Sequence, residues 1–322
     1  MSAWASRLGG HWWTIAPLTR QLLPSGRTAQ QQEVSITVID DQFGPTRLAA
    51  TFCDAPESES VVVLVHGLGG SRHAGYVQKA MTSLLAQGYA TLAVDLRGAD
   101  RRGGGFYHVA LEEDLRAVCR TPSLRRFRHI FVLGFSMGGH VALHYAASRD
   151  ERRLRGVAAL CTPLDLRATQ EHLDQRALFV YRHYVLRGLK QIYAAVSRSH
   201  DVPSPNRDVQ RCRTFYEWDE LTIAPRYGFG SPEQFYREHS AANILGDLAV
   251  DTVIVMARHD PVIPPELTMP FIANAPFGKL HVKVLSRGGH LQFANGQSLG
   301  FAGGNSGDVV AQLGAHWQRL TG

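Results

Sequence analysis

Apolar and polar positions alternate in Val34-Ser35-Ile36-Thr37-Val38-Ile39, and a second extended stretch follows from Arg47 to Phe52. A period of two is what half-buried strands show, and with Phe43-Gly44-Pro45 near a turn these stretches predict an antiparallel pair. Downstream the pattern changes. Val61 to Val65, Ala90 to Val94, Ile130 to Leu133, Val157 to Leu160, Thr252 to Met256 and Leu280 to Leu285 are short, mostly unbroken apolar runs rich in β-branched residues. Such runs are expected of parallel strands covered on both faces. Segments with helical spacing accompany them, at about Tyr76 to Gln87, Ala110 to Arg120, Gly139 to Ser148, Pro265 to Asn274 and Asp308 to Arg319. Strand and helix alternating in this way predict an α/β fold with a mostly parallel, doubly wound sheet of about eight strands.

One stretch breaks the rhythm. About 90 residues separate the strand ending near Cys161 from the one starting near Thr252. Apolar positions at Leu173, Ala177, Val180, Tyr181, Tyr184, Val185, Leu189, Ile192, Tyr193 and Val196 predict one long amphipathic helix there, stopped by Pro203 and Pro205. Ser231-Pro232-Glu233-Gln234 then reads as a capped helix start, with a short helix running to about His239. No internal repeat or low-complexity linker sets the insertion apart as an independent domain. The expected organisation is a core made of residues 1–165 and 241–322, with a helical cap over residues 166–240.

The chemistry centres on Gly134-Phe135-Ser136-Met137-Gly138, which follows one apolar run and precedes a helical one. A serine between glycines at a strand-to-helix junction is the pattern of a nucleophile elbow, where a β-carbon on either glycine would collide with neighbouring backbone. A serine hydroxyl needs a base, and the base needs an acid to orient it. Asp260 lies on the loop after the Thr252 to Met256 strand and His290 on the loop after the last strand. The carboxyl ends of strands in an open α/β sheet converge on one crevice, so Ser136, Asp260 and His290 are the candidate triad. Backbone N–H donors for an oxyanion are expected from Leu68, in His66-Gly67-Leu68-Gly69-Gly70, and from Met137. Two alternatives stand beside this assignment: Ser136 as a mere helix N-cap, and Asp165 in place of Asp260 as the acid.

Composition narrows the field. The net charge is +6, carried by 30 arginines against four lysines that are scattered along the chain, which argues against a nucleic-acid partner. Trp4, Trp12, Trp13 and Ile15 in a polar-interrupted N-terminal stretch do not read as a signal peptide, but leave a weak peripheral membrane contact open. No run approaches the roughly 18 apolar residues of a membrane span. Cys53, Cys119, Cys161 and Cys212 are widely spaced and read as buried free thiols of a reducing, cytoplasmic setting. Metal-ligand motifs are missing, and Gly67-Leu68-Gly69-Gly70-Ser71-Arg72 has Arg72 where a dinucleotide fingerprint needs glycine, while Asp95 follows the wrong strand context to rescue it, so no cofactor is expected.

The chain resembles the YheT-like, abhydrolase-domain group of α/β-hydrolases in segments spread over nearly its whole length. The resemblance rests on His66-Gly67-Leu68-Gly69-Gly70-Ser71, Tyr107-His108 with Glu113-Asp114-Leu115, and the elbow with Gly139. It also rests on Asp219-Glu220-Leu221-Thr222 with Ala224-Pro225 and Gly228-Phe229, on Gly289-His290 with Phe293, and on Gly10-His11 with Thr14-Ile15. It implies an α/β-hydrolase fold and hydrolysis of carboxylic esters, with a small-molecule ester or lipid as substrate. Phe179, Tyr184, Phe215, Trp218 and Phe229 are the candidate acyl-pocket residues in the cap. An acyltransferase using the same triad, a membrane-associated phospholipase and a non-catalytic ligand-binding relative are the competing readings.

Overall fold

The structure, a computed structural model, describes residues 9–14, 31–40, 44–102, 104–273, 275, 278–302 and 307–322. Its spine is an eight-stranded sheet in the order β1-β2-β4-β3-β5-β6-β7-β8. The strands are β1 (Gln31–Asp40), β2 (Gly44–Cys53), β3 (Ser60–Val65), β4 (Ala90–Asp95), β5 (His129–Phe135), β6 (Leu154–Leu160), β7 (Asp251–Ala257) and β8 (Leu280–Leu285). β1 and β2 are antiparallel, as their alternating pattern predicts, and β2 also runs antiparallel to β4. All other pairings are parallel. Gly44 and Pro45 belong to β2, whereas Phe43 lies outside the described residues, as do Trp4 and Ile15.

The unbroken apolar runs earn their burial. Val61, Val62, Val63, Leu64 and Val65 are fully buried, because helices cover both faces of the strand. Each such side chain contributes about 1.5–3 kcal/mol by leaving water. Helices α1 (Gly75–Leu85), α2 (Glu112–Cys119) and α3 (Met137–Ser148) follow β3, β4 and β5. Between β6 and β7 lie α4 (Leu166–Leu173), α5 (Phe179–Val196), α6 (Phe215–Leu221), α7 (Ile223–Tyr227) and α8 (Pro232–His239), with α9 (Val309–Gln318) closing the described chain. Cys53, Cys119, Cys161 and Cys212 are buried and free. Among the described residues, no helix is long and apolar enough to cross a membrane.

Two helix expectations need correcting. The long amphipathic helix begins at Phe179, and Leu173 belongs to α4. The break falls at Asp174, whose carboxylate accepts from the Phe215 and Tyr216 N–H groups at 2.8 and 3.2 Å, at the start of α6. A carboxylate beside a helix N-terminus is favourable, and Arg182 donates to the freed Leu173 and Gln175 carbonyls at 2.9 Å each. Tertiary demand thus overrides a local periodicity. The helix expected from Pro265 to Asn274 is reduced to two short turns, Pro265–Leu267 and Met269–Ile272, with Pro270 interrupting the backbone donors.

Charged groups are buried where they tie elements together. Arg97, after β4, donates from Nε to Asp114 Oδ1 at 3.0 Å and from Nη2 at 2.6 Å, and also pairs with Asp40 on β1. Arg72 and Asp95, weighed above as parts of a nucleotide site, pair with each other. Removing one member of a buried ion pair strands the other, so Asp114→Ala should destabilise the fold by about 3–5 kcal/mol. Urea unfolding of the variant against the wild type measures this.

Candidate active site

Ser136 sits between β5 and α3 with φ 51° and ψ −118°, a left-handed backbone that a β-substituted residue adopts at a cost of about 1–3 kcal/mol. Packing holds it there. A β-carbon on Gly134 would lie 2.3 Å from the Gly138 carbonyl oxygen, and one on Gly138 would lie 2.3 Å from the oxygen of Val65 and 2.5 Å from that of His66. Backbone bonds lock the turn: the Ser136 N–H donates to Leu160 O at 2.8 Å, and the Gly139 N–H donates to Ser136 O at 3.0 Å. The Ser136 side chain makes no capping bond to α3.

Asp260 and His290 meet. His290 Nδ1 lies 2.9 Å from Asp260 Oδ2, while Asp260 Oδ1 accepts from the Val262 and Ile263 N–H groups at 2.8 and 3.1 Å. One carboxylate oxygen is therefore anchored by backbone and the other is free to orient the imidazole, leaving Nε2 for a substrate hydroxyl or for serine. Asp165, the alternative acid, is the N-cap of α4 and accepts from the Ala168 N–H at 2.9 Å.

The loop after β3 presents its donors selectively. The Gly67 N–H donates to the Tyr76 hydroxyl at 3.0 Å, the Gly69 N–H to the Tyr107 hydroxyl at 2.7 Å, and the Gly70 N–H to Gly67 O at 3.0 Å. Leu68, between them, is the loop residue whose N–H none of these bonds uses. Met137 supplies the first N–H of α3, one of four that a helix cannot pair internally. A β-carbon on Gly67 would lie 3.3 Å from Ser136 Cβ, so loop and elbow are in contact. His66 braces the loop from below: Nε2 accepts from the Leu96 N–H at 3.2 Å, so Nδ1 carries the proton donated to Gly67 O at 2.8 Å. Burial lowers the His66 pKa and keeps that neutral form.

Ser136, His290, Leu68 and Met137 all line one cavity of about 320 Å³ whose walls are mainly apolar, with Leu173, Val185, Phe215, Trp218, Ile223 and Ile263 among them. Residues 56–295 match the family described as serine aminopeptidase, S33. The chain belongs to this family of α/β-hydrolases. YheT of Escherichia coli K12, provisionally named an esterase, is 26% identical over 74% of this hydrolase and 72% of its own length. The medium-chain fatty acid ethyl ester synthase/esterase 2 of Saccharomyces cerevisiae is 22% identical over 72% of the chain. The hydrolase spans 58% of that yeast protein. Among solved structures, the Pyrococcus furiosus esterase Pf2001 superposes with a TM-score of 0.54 at 19% identity, covering 83% of this chain and 89% of that one, a likeness of fold.

The hydrolase uses residues that spacing alone did not mark. Thr14 accepts from the His290 N–H at 2.9 Å and donates to Gly10 O at 2.8 Å, so helical residues 9–14 support the histidine loop. Cys161 accepts from the Leu291 N–H at 3.5 Å, and its Sγ lies 3.9 Å from Gly289 O, flanking His290 on both sides. Burial pushes this thiol well up, with the Asp260 charge adding to it. His140 and His144 turn inward and face the His239 carbonyl at 2.7 and 3.0 Å; burial lowers both, His144 to about 3. Of the five cap aromatics expected to form the acyl pocket, Tyr184, Phe215 and Trp218 line the cavity, joined by Tyr181, Phe235 and Tyr236. Phe179 points outward, 62% exposed, and Phe229 packs among His108, Phe235 and His239, so neither reaches the cavity wall.

The roof of the cavity rests on the donor loop. On α5, a β-carbon at Gly188 would lie 2.7 Å from Gly69 O. Asp219 also lines the cavity and accepts from the Tyr236 hydroxyl at 2.6 Å. Burial pushes its carboxyl up to about 7, against the pull of that hydroxyl. An unfolded aspartate releases its proton near ~3.9, so between about pH 4 and 7 the folded chain holds the extra proton, and this group's contribution to stability falls as pH rises. Asp219→Asn, neutral throughout, should gain stability relative to the wild type between pH 5 and pH 8. Urea midpoints at both pH values read the change.

Proposed function

We propose that the chain is a serine hydrolase that cleaves carboxylic esters through an acyl-enzyme on Ser136. The observation that carries this is that His290, paired with the buried Asp260, shares one largely apolar cavity with a strained serine. His290 takes the Ser136 proton as the hydroxyl attacks the ester carbonyl, and the Leu68 and Met137 N–H groups receive the developing oxyanion. The imidazolium returns the proton to the leaving alcohol. It then removes a proton from water, whose attack frees the acid and regenerates Ser136. Asp260 keeps the imidazole proton on Nδ1 throughout. Tyr184, Phe215 and Trp218 would hold the acyl chain, and four buried thiols fit a reducing, cytoplasmic setting.

Esters are favoured over peptides because the cavity offers an acyl chain apolar walls, and the relatives' names point the same way. Ser136→Ala should lower turnover of p-nitrophenyl esters on the order of 10⁶-fold and abolish fluorophosphonate labelling. An acyl series from acetyl to palmitoyl, run beside aminoacyl p-nitroanilides, tests the bond class. Faster anilide turnover, or none with any ester, would overturn the ester reading.

A second reading, cleavage at a lipid surface, is favoured by exposed apolar residues at the roof. Trp12, Phe179 and Tyr184 are 71%, 62% and 55% exposed, and Tyr184 and Val180 also line the cavity. His11 Nδ1 sits 2.7 Å from the Tyr181 hydroxyl, which places Trp12 beside α5. Under this reading Trp12→Ser should weaken binding to phosphatidylcholine vesicles by roughly tenfold or more, the worth of one inserted aromatic, while turnover of soluble p-nitrophenyl acetate stays unchanged. Equal vesicle binding by both proteins, in a co-sedimentation assay, would rule it out.

A further inference from the structure

The end of the sheet remote from the elbow carries a second chemistry-bearing cluster. Asp251 opens β7 and His281 is the second residue of β8. Val253 is directly opposite His281 in the ladder, and residues two apart share a face, so Asp251 and His281 project to the same side. Helix α9 packs there, its Val309, Leu313 and Trp317 in one core cluster with Val253, and its last turn delivers His316. His316 Nε2 reaches Asp251 Oδ1 at 2.8 Å and His281 Nε2 reaches Oδ2 at 3.0 Å. The ligand atoms of all three residues lie within 4.8 Å of one another.

We propose that Asp251, His281 and His316 form a binding site for a first-row divalent transition-metal ion of the zinc class. Two imidazole nitrogens converging on one carboxylate match the donor set that such ions select, whereas calcium or magnesium would call for more oxygen ligands. The rings are held in place. Phe301 stacks on His316 with centroids 3.9 Å apart and meets His281 edge-on at 5.8 Å. His281 keeps a side-chain exposure of 40%, which leaves a side of the cluster open for a water ligand. The metal would tie β7, β8 and α9 together.

One contact opposes loading. Arg319 Nη2 lies 3.3 Å from His316 Nδ1 and donates to it, so the ring proton of the metal-free form sits on Nε2. Metal binding moves that proton to Nδ1 and expels the guanidinium, which is exposed and free to swing away. The ion and Arg319 therefore compete for the two tautomers of one histidine.

The test is titration of tag-free, chelator-treated protein with Co²⁺, read by visible absorption, and with Zn²⁺, read by melting temperature. A second cluster, Cys161 with Asp260 and His290, offers a thiol within the same span, and its Co²⁺ adduct would carry thiolate charge-transfer bands. The expected result is one ion per chain, no thiolate bands and a melting temperature that rises with free Zn²⁺. His281→Asn and Asp251→Asn should each weaken binding about 100-fold or more, since even outer partners of metal ligands are worth roughly 10–100-fold. Arg319→Gln should tighten it. Uptake unaffected by both ligand variants, thiolate bands in the spectrum, or no uptake at millimolar metal would each overturn the assignment. His281 is half-exposed, so its variant tests the site without emptying the core.

Discussion

Everything at the crevice depends on how closely two pieces of backbone approach. The first turn of α3 passes so near the end of β3 that no β-carbon fits at Gly138. This crossing fixes three things together. It goes with the positive-φ turn at Ser136, brings Met137 in the first turn of α3 to the cavity wall, and seats the loop after β3 against the elbow. Strain at one residue is tolerable because fully buried strands on both sides over-determine the turn, each contributing several side chains worth about 1.5–3 kcal/mol.

Asp260 and His290 are organised differently. Asp260 is held by the N–H groups of its own loop, a local solution that sequence adjacency makes easy. His290 is held by distant groups: Thr14 on its N–H, Asp260 on its ring, and Cys161 against the residues on either side. The imidazole thus stands where the N-terminal helical residues, the end of β6 and the loop after β7 all meet. A rigid serine and a histidine supported by three separate segments suit the acyl-enzyme cycle proposed above.

How much of this could be read from the chain follows from the range of each interaction. Val61 to Val65 announce a buried strand because burial on both faces demands apolar residues at every position. The elbow is legible because its constraint is local, glycine against backbone, and the meeting of Asp260 with His290 because strand ends in this topology converge. Leu173 and Phe179 were harder. Their shared periodicity is real, but Asp174 serves the N-terminus of α6, some forty positions on, and breaks the helix. Phe179 and Phe229 looked like pocket residues because composition does not say which way an aromatic ring faces. Asp251, His281 and His316 left no spacing to find, since β7, β8 and α9 bring them together only in three dimensions.

The contact between Gly188 and Gly69 joins the roof of the cavity to the loop after β3. A side chain larger than glycine at 188 would wedge α5 away from the loop after β3, so the height of the roof is set by two residues that carry no side chain at all.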